Sequence, residues 1–359
     1  MNFKLNSILR PHILSLTPYS SARDEYTGRE GVFLDANENA LGSATVANYN
    51  RYPDPYQWAI KERLAPLKGV RPEQIFLGNG SDEPIDLLIR ATCTPEQDSV
   101  LVMPPTYGMY EVSANINNVP LIRIPLTPGF QIDLPVVLAA IQENTKLLFV
   151  CSPNNPTGNL IDRQAVLSLL EQFNGLVVVD EAYIDFADTE SMTALLDQFP
   201  NLVVLQTFSK AWGLAALRLG MCFASEELIR VLNKIKPPYN ISAPTQELAL
   251  DAIDHVTQKE EMVAKILAER AVLSEKLLSL PLVQQVYPSD ANFLLVRFDQ
   301  PGGPDAKTVF DHLISQQVIV RDRSKVKLCE GCLRITVGTA DENSRLLEVL
   351  SQMKVLERA

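Results

Sequence analysis

The sequence predicts an α/β protein: a large domain with a mostly parallel seven-stranded sheet in an α/β/α sandwich, followed by a smaller α/β domain. Three observations carry this. Seven short apolar runs fall at 75–77, 100–103, 121–124, 147–151, 176–179, 203–205 and 221–224. Helical spacing separates most of them, at 83–91, 107–114, 134–141, 164–173 and 213–219, and near-continuous apolar strands alternating with amphipathic helices mean a sheet covered on both faces. Lastly, 359 residues are enough for about two domains, and Pro237-Pro238 marks a break after which a second strand and helix series begins.

In chain order, residues 1–30 are weakly patterned, interrupted by Pro11 and Pro18, and read as an arm with a short helix. A short strand is expected at 33–35, then a polar stretch, 36–39, that is either a loop or a binding wall. Residues 51–55 (RYPDP) form a rigid turn, and 56–68 have helical spacing. After the seven strands comes a long helical region, 245–280. Strands at 283–286 and 293–298, a helix at 306–316, strands at 318–320 and 333–337 and a last helix at 342–355 complete the second domain. The expected division is an arm (1–30) lying with the small domain, a large domain (31–240) and a small domain (241–359).

Composition excludes several partners. Hydrophobic content of 46% with 21% charged residues suits a globular protein with ample core. A net charge of −11 and a pI near 4.9 argue against nucleic-acid or anionic-membrane partners. The N-terminus lacks a long apolar segment, and no apolar run approaches ~18 residues, so a cytoplasmic location is expected. The five cysteines are an odd set lying mostly in or beside apolar runs, which fits reduced thiols. Cys329 and Cys332 form a CxxC with no second pair or clustered histidine, so no metal is expected.

The chemistry concentrates after strand ends. Lys210 and Arg218 follow the strand 203–205, with Thr207 and Ser209 beside them. A buried lysine becomes the neutral amine that Schiff-base chemistry requires, although a strand-end lysine can also simply snorkel to solvent. Hydroxyls and an arginine suit a phosphate. Gly80, Ser81 and Asp82 follow another strand and open a helix whose free N–H groups suit an anion, though Ser81 could equally be a plain cap. Tyr107 follows the strand 100–103, where an aromatic can stack on a planar ring or pack in the core. Asn155 sits in a turn after 147–151, and Asp180 follows 176–179 as either a surface carboxylate or a buried anion holding a proton on a heterocycle. Together these groups meet the needs of pyridoxal phosphate, whose ring acts as an electron sink.

On LDANENALG (34–42), RYPDP (51–55), GNGSDE (78–83), PTYGMY (105–110), SPNNPTGN (152–159), VVVDEAYIDF (177–186), TFSKAWGLAALRLG (207–220) and LRITVGT (333–339), the chain resembles the fold-type-I, class-II pyridoxal-phosphate aminotransferases over nearly its whole length. It is most similar to their histidinol-phosphate branch, departing from it at Ala40, where that branch usually has proline. The resemblance implies that Lys210 carries the cofactor and then acts as base in a 1,3-proton shift. It implies that Asp180 pairs with the ring nitrogen, that Tyr183 and Asn155 bind the ring hydroxyl, and that Tyr107 stacks on the ring. Gly80, Ser81, Asp82, Thr207, Ser209 and Arg218 would hold the phosphate, with Tyr52 reaching it from the second subunit of a homodimer. Arg334 would grip the substrate carboxylate or phosphate, with Tyr19, Asn37 and Arg321 as further substrate contacts. The implied reaction moves an amino group between L-histidinol phosphate and 2-oxoglutarate; an aromatic amino-acid aminotransferase or a threonine-phosphate decarboxylase shares much of the pattern. A ligand-sensing regulator on the same fold would carry an added DNA-binding domain, for which this acidic chain offers no candidate.

Overall fold

Residues 3–18 and 31–353 are described by the computed structural model of the chain. The first half runs α1 (Pro11–Ser15), α2 (Trp58–Lys68), β1 (Ile75–Asn79), α3 (Asp82–Thr92), β2 (Ser99–Val102), α4 (Met109–Ile116), β3 (Leu121–Arg123), α5 (Leu134–Ala140), β4 (Thr145–Cys151), α6 (Arg163–Gln172) and β5 (Leu176–Asp180). There follow β6 (Leu202–Thr207), β7 (Leu219–Phe223), α7 (Glu226–Ile235), α8 (Ala243–Asp254), α9 (Val256–Leu278), β8 (Gln285–Val286), β9 (Phe293–Arg297), α10 (Ala306–Ser315), β10 (Arg321–Asp322), β11 (Cys332–Thr336) and α11 (Ala340–Ser351).

The large sheet has the order β1-β7-β6-β5-β4-β2-β3. Only β7 runs against its neighbours, pairing antiparallel with β1 and β6; the other pairs are parallel. Period-two alternation splits each strand between two cores. Val177 and Val179 enter one, while Leu176 and Val178 enter the other. That explains why β5 and β6 read as continuous apolar runs: each is buried along its whole length. The smaller sheet, β10-β11-β9-β8, is wholly antiparallel and packs under α9, α10 and α11. Two of these helices start on side-chain caps: Asp305 accepts from the Thr308 N–H at α10, and Thr339 with Glu342 forms a reciprocal box at α11.

Several sequence expectations are corrected. No helix fills 213–219: Gly213 (φ +67°) and Arg218 (φ +51°) are left-handed, and only a 3₁₀ turn, Ala215–Leu217, forms between them. Antiparallel neighbours need no crossover helix, so β6 returns into β7 by a loop. Residues 33–35 join no ladder, and Leu34 is 86% exposed. Residues 318–320 are likewise unpaired, with only Arg321–Asp322 on the sheet. The region 245–280 is two helices broken at His255. Pro11 opens a helix at its first position, where a missing N–H costs nothing.

The described part of the arm, residues 3–18, packs on the large core rather than with the small domain. Leu5, Ile8 and Leu9 join the large core, and Lys234 Nζ donates to the carbonyls of Ile13 and Leu14 at 2.8 and 3.0 Å. Ala249 and Ile253 of α8 also belong to the large core, whereas Leu273 and Leu277 of α9 belong to the small one. The large core also takes in Leu295, Cys329 and Cys332, so residues beyond 241 contribute to both cores.

Candidate active site

Parallel strands bring their carboxyl ends to one edge, and ligands collect there. The ends of β1, β4, β5 and β6, with the start of antiparallel β7, enclose a cleft of about 510 Å³ including its mouth. Gly80, Ser81, Asp82, Tyr107, Asn155, Asp180, Tyr183, Thr207, Ser209, Lys210 and Arg218 all line it, together with Cys151 and Ala182.

Asp180 ends β5 and is 2% exposed. Its Oδ2 accepts from the Tyr110 hydroxyl at 2.6 Å and its Oδ1 from the Ala182 N–H at 3.1 Å. Burial pushes its pKa up to about 6, while the Tyr110 bond opposes the rise. Lys210 follows β6. Its side chain is exposed to the open cleft, yet protein crowds it enough that desolvation lowers its pKa, with Arg334 and Arg218 adding to the effect. Among the described residues its amine makes no hydrogen bond or ion pair; it lies 5.7 Å from the centre of the Tyr183 ring. The Tyr183 hydroxyl accepts from Asn155 Nδ2 at 3.4 Å, and burial holds its proton firmly.

Backbone geometry forms an anion cradle. Ser81 caps α3 without using its side chain, so its hydroxyl is left to the cleft beside the free N–H groups of the first turn. Gly80 has φ +67°, and a Cβ there would press on the Arg218 guanidinium. Opposite it, a Cβ on Gly220 would collide with the Gly80 backbone. Arg218 donates to Ser209 Oγ at 3.5 Å and approaches Asp82 Oδ2 to 3.6 Å. The Asp82 carboxylate also accepts from the Tyr107 hydroxyl at 3.1 Å, so what Asp82 offers an anion is its N–H. Thr207 Oγ1 accepts from the Ser209 N–H at 3.0 Å, tightening the turn.

The small sheet closes the other side. Arg334 on β11 donates to Asn155 Oδ1 and lies over the Phe293 ring at 5.2 Å. Arg321 is its register partner on β10 and is exposed. Arg323 feels both: burial, then Arg334 and Arg321, lower its pKa, and its buried Nε has no hydrogen-bond partner among the described residues. Among the described residues none of these three guanidiniums pairs with a carboxylate. Asn37 (φ +56°) is exposed and outside the cleft. Tyr52 is 49% exposed, stacks on Tyr239 at 4.4 Å and does not line the cleft of its own chain. Tyr19 lies outside the described residues. Tyr110 was missed as a site residue: the PTYGMY motif contains it, but only the fold puts its hydroxyl on Asp180.

These residues fit pyridoxal phosphate. A cradle of N–H groups, hydroxyls and a guanidinium would take the phosphate, Asp180 would hold a proton on the ring nitrogen, and Lys210 would supply an amine that has no partner among the described residues. The fold and the site thus define a fold-type-I α/β transferase. The chain belongs to the aminotransferase class I and II family, whose family model matches residues 26–350. Among its relatives, the histidinol-phosphate aminotransferase of Cytophaga hutchinsonii is 61% identical over 98% of this chain and 99% of that one. That of Parabacteroides distasonis is 52% identical over 98% and 99%. Solved structures of the Clostridium acetobutylicum and Sinorhizobium meliloti histidinol-phosphate aminotransferases, the second in complex with pyridoxal-5'-phosphate, share the fold. Their TM-scores are 0.77 and 0.78 at 22% and 24% identity, covering 84% and 88% of this chain and 90% and 89% of theirs.

Proposed function

We propose that the chain is a pyridoxal-phosphate-dependent transaminase that exchanges an amino group between L-histidinol phosphate and 2-oxoglutarate, in histidine biosynthesis. The observation that supports this is a pair of anion sites: the glycine cradle with Arg218 in the cleft, and Arg334, joined to the cleft through Asn155, in a guanidinium set with no carboxylate partner among the described residues. The first suits the cofactor phosphate. The second suits a substrate that presents a phosphate in one half-reaction and a carboxylate in the other, since a guanidinium binds either bidentately.

The cofactor, when bound, supplies the electron sink. This chain's own residues do the rest. Asp180 would hold a proton on the ring nitrogen, Tyr183 and Asn155 would hydrogen-bond the ring hydroxyl, and Tyr107 would stack on the ring. The Lys210 amine, its pKa lowered by desolvation, is poised to move a proton at the substrate carbon. Arg334 orients the substrate anion. The reading includes a homodimer in which Tyr52 completes the partner's phosphate site, Asn37, Tyr19 and Arg321 at the substrate, and a cytoplasmic location.

The test is the visible absorption of the cofactor-loaded protein on separate addition of L-glutamate and L-histidinol phosphate. Both should bleach the band. A response to glutamate alone would remove histidinol phosphate as the substrate and leave the transaminase chemistry intact. A protein that takes up no cofactor would overturn the reading altogether.

A further inference from the structure

We infer that Tyr110 is a positioning residue that holds the Asp180 carboxylate ionised and in one orientation. Tyr110 is fully buried on α4, its ring stacked on Phe149 at 4.6 Å and 9° and set edge-on to Tyr107 at 5.5 Å. A ring clamped on both sides can present its hydroxyl in only one place. That place is 2.6 Å from Asp180 Oδ2, while the Ala182 N–H fixes Oδ1 at 3.1 Å. With both oxygens anchored, the plane of the carboxylate is set before any ligand arrives.

The direction of the bond is also set. Burial, and then the charge of Asp180, raise the Tyr110 pKa well above its ordinary value, so the proton stays on the phenol and is donated. Cys151, beside both groups, points its thiol at the Pro153 carbonyl (3.5 Å) and keeps its proton for the same reason. The other titratable groups acting on or feeling Asp180 are Asp82 from α3, Lys210 after β6, and Tyr107 and Tyr183. Asp82 disfavours the Asp180 charge and Lys210 favours it, but the largest opposition to desolvation comes from Tyr110. The inference rests on the proposed pairing of Asp180 with the cofactor ring, and makes the Tyr110 hydroxyl the group that keeps that partner charged.

Tyr110→Phe keeps the ring and its stacking and removes only the donor. The sign follows from the carboxylate: without the donor its pKa rises, so the charge is lost at a higher pH. The acidic limb of kcat/KM should move up by about one pH unit, with activity recovering toward wild type at alkaline pH, and the visible band of the bound cofactor should shift its titration the same way. A uniform loss at every pH, or an unmoved limb and band in loaded Tyr110→Phe, would overturn the inference. The wild-type apoprotein gives a second measurement that needs no variant to fold. A slowly exchanging, downfield phenol proton should be seen by proton NMR at pH 8 and should move upfield on acidification; its absence would also overturn it. Wild-type enzyme without a cofactor band would sink the reading of the function instead, and the phenol proton would then decide Tyr110 alone.

Discussion

Lys210 and Asp180 show the conflict between stability and function within single side chains. The Lys210 amine has no partner among the described residues and sits beside two guanidiniums whose charge disfavours its own. On the proposed roles, Lys210→Ala removes both the cofactor attachment and the base. Turnover should fall by about 10³-fold or more, while the protein still folds and binds the cofactor non-covalently, as equilibrium dialysis can check. Residual multiple turnover near the wild-type rate would refute its role. Asp180 is buried, and its pKa is raised from an ordinary carboxylate value to about 6. A raised folded-state pKa means the native protein binds more protons than the unfolded chain, so the contribution of Asp180 to apoprotein stability is fully present below about pH 4 and is lost as pH rises through about 6. Asp180→Asn abolishes that loss. The apoprotein variant should therefore melt higher than wild type at pH 7.5 and equally at pH 4, while losing nearly all activity. Equal melting temperatures at both pH values would remove the burial cost assigned to this carboxylate.

At the scale of elements, the return of β6 into β7 is what the site depends on. The Gly220 α-carbon faces the Gly80 backbone with no room for a Cβ, so the two loops that form the phosphate cradle are held in contact by a missing side chain. Gly220→Ala should separate them. Cofactor affinity should drop at least about tenfold and thermal stability should fall, whereas Gly69→Ala, where a Cβ meets nothing but φ is +65°, should leave cofactor affinity alone. Equal affinity loss in the two variants would break the link to the cradle. The same return marks the limit of what the sequence disclosed. The parallel strands were legible because each is apolar throughout, and Lys210, Asp180 and Ser81 were legible because a polar group after such a run has to face the strand-end edge. The segment 213–219 was misread because its apolar spacing imitates a helix, whereas left-handed Gly213 and Arg218 decide its path. At 318–320 the β-branched run was real, but the ladder with β11 begins only at Arg321. Tyr110 was obscured for a different reason: its importance lies in a contact with a residue 70 positions away, which local pattern cannot carry.

For the whole molecule, the described segment 31–52 leaves Val32, Leu34, Leu41 and Val46 almost bare, with Tyr49 and Tyr52 half exposed. So much apolar surface on one stretch is uncommon on a monomer. Glu38 nonetheless holds the stretch in shape, accepting from Arg51 Nη1 at 2.6 Å and from the Tyr52 N–H at 2.6 Å. An exposed apolar strap carrying a tyrosine that does not line its own cleft suits the proposed shared site across a two-fold axis. In that arrangement Lys210 and the Tyr52 that serves it come from different chains. Tyr52→Ala and Lys210→Ala, each weak alone, should then complement on mixing. A mixed dimer has one site with both residues intact and one with neither, and random re-association makes half of all dimers mixed. Activity should therefore recover to roughly a quarter of wild type after the two variants are unfolded and refolded together. Were Tyr52 to serve its own chain, the mixed dimer would contain only singly damaged sites, and the activity would be the mean of the two variants.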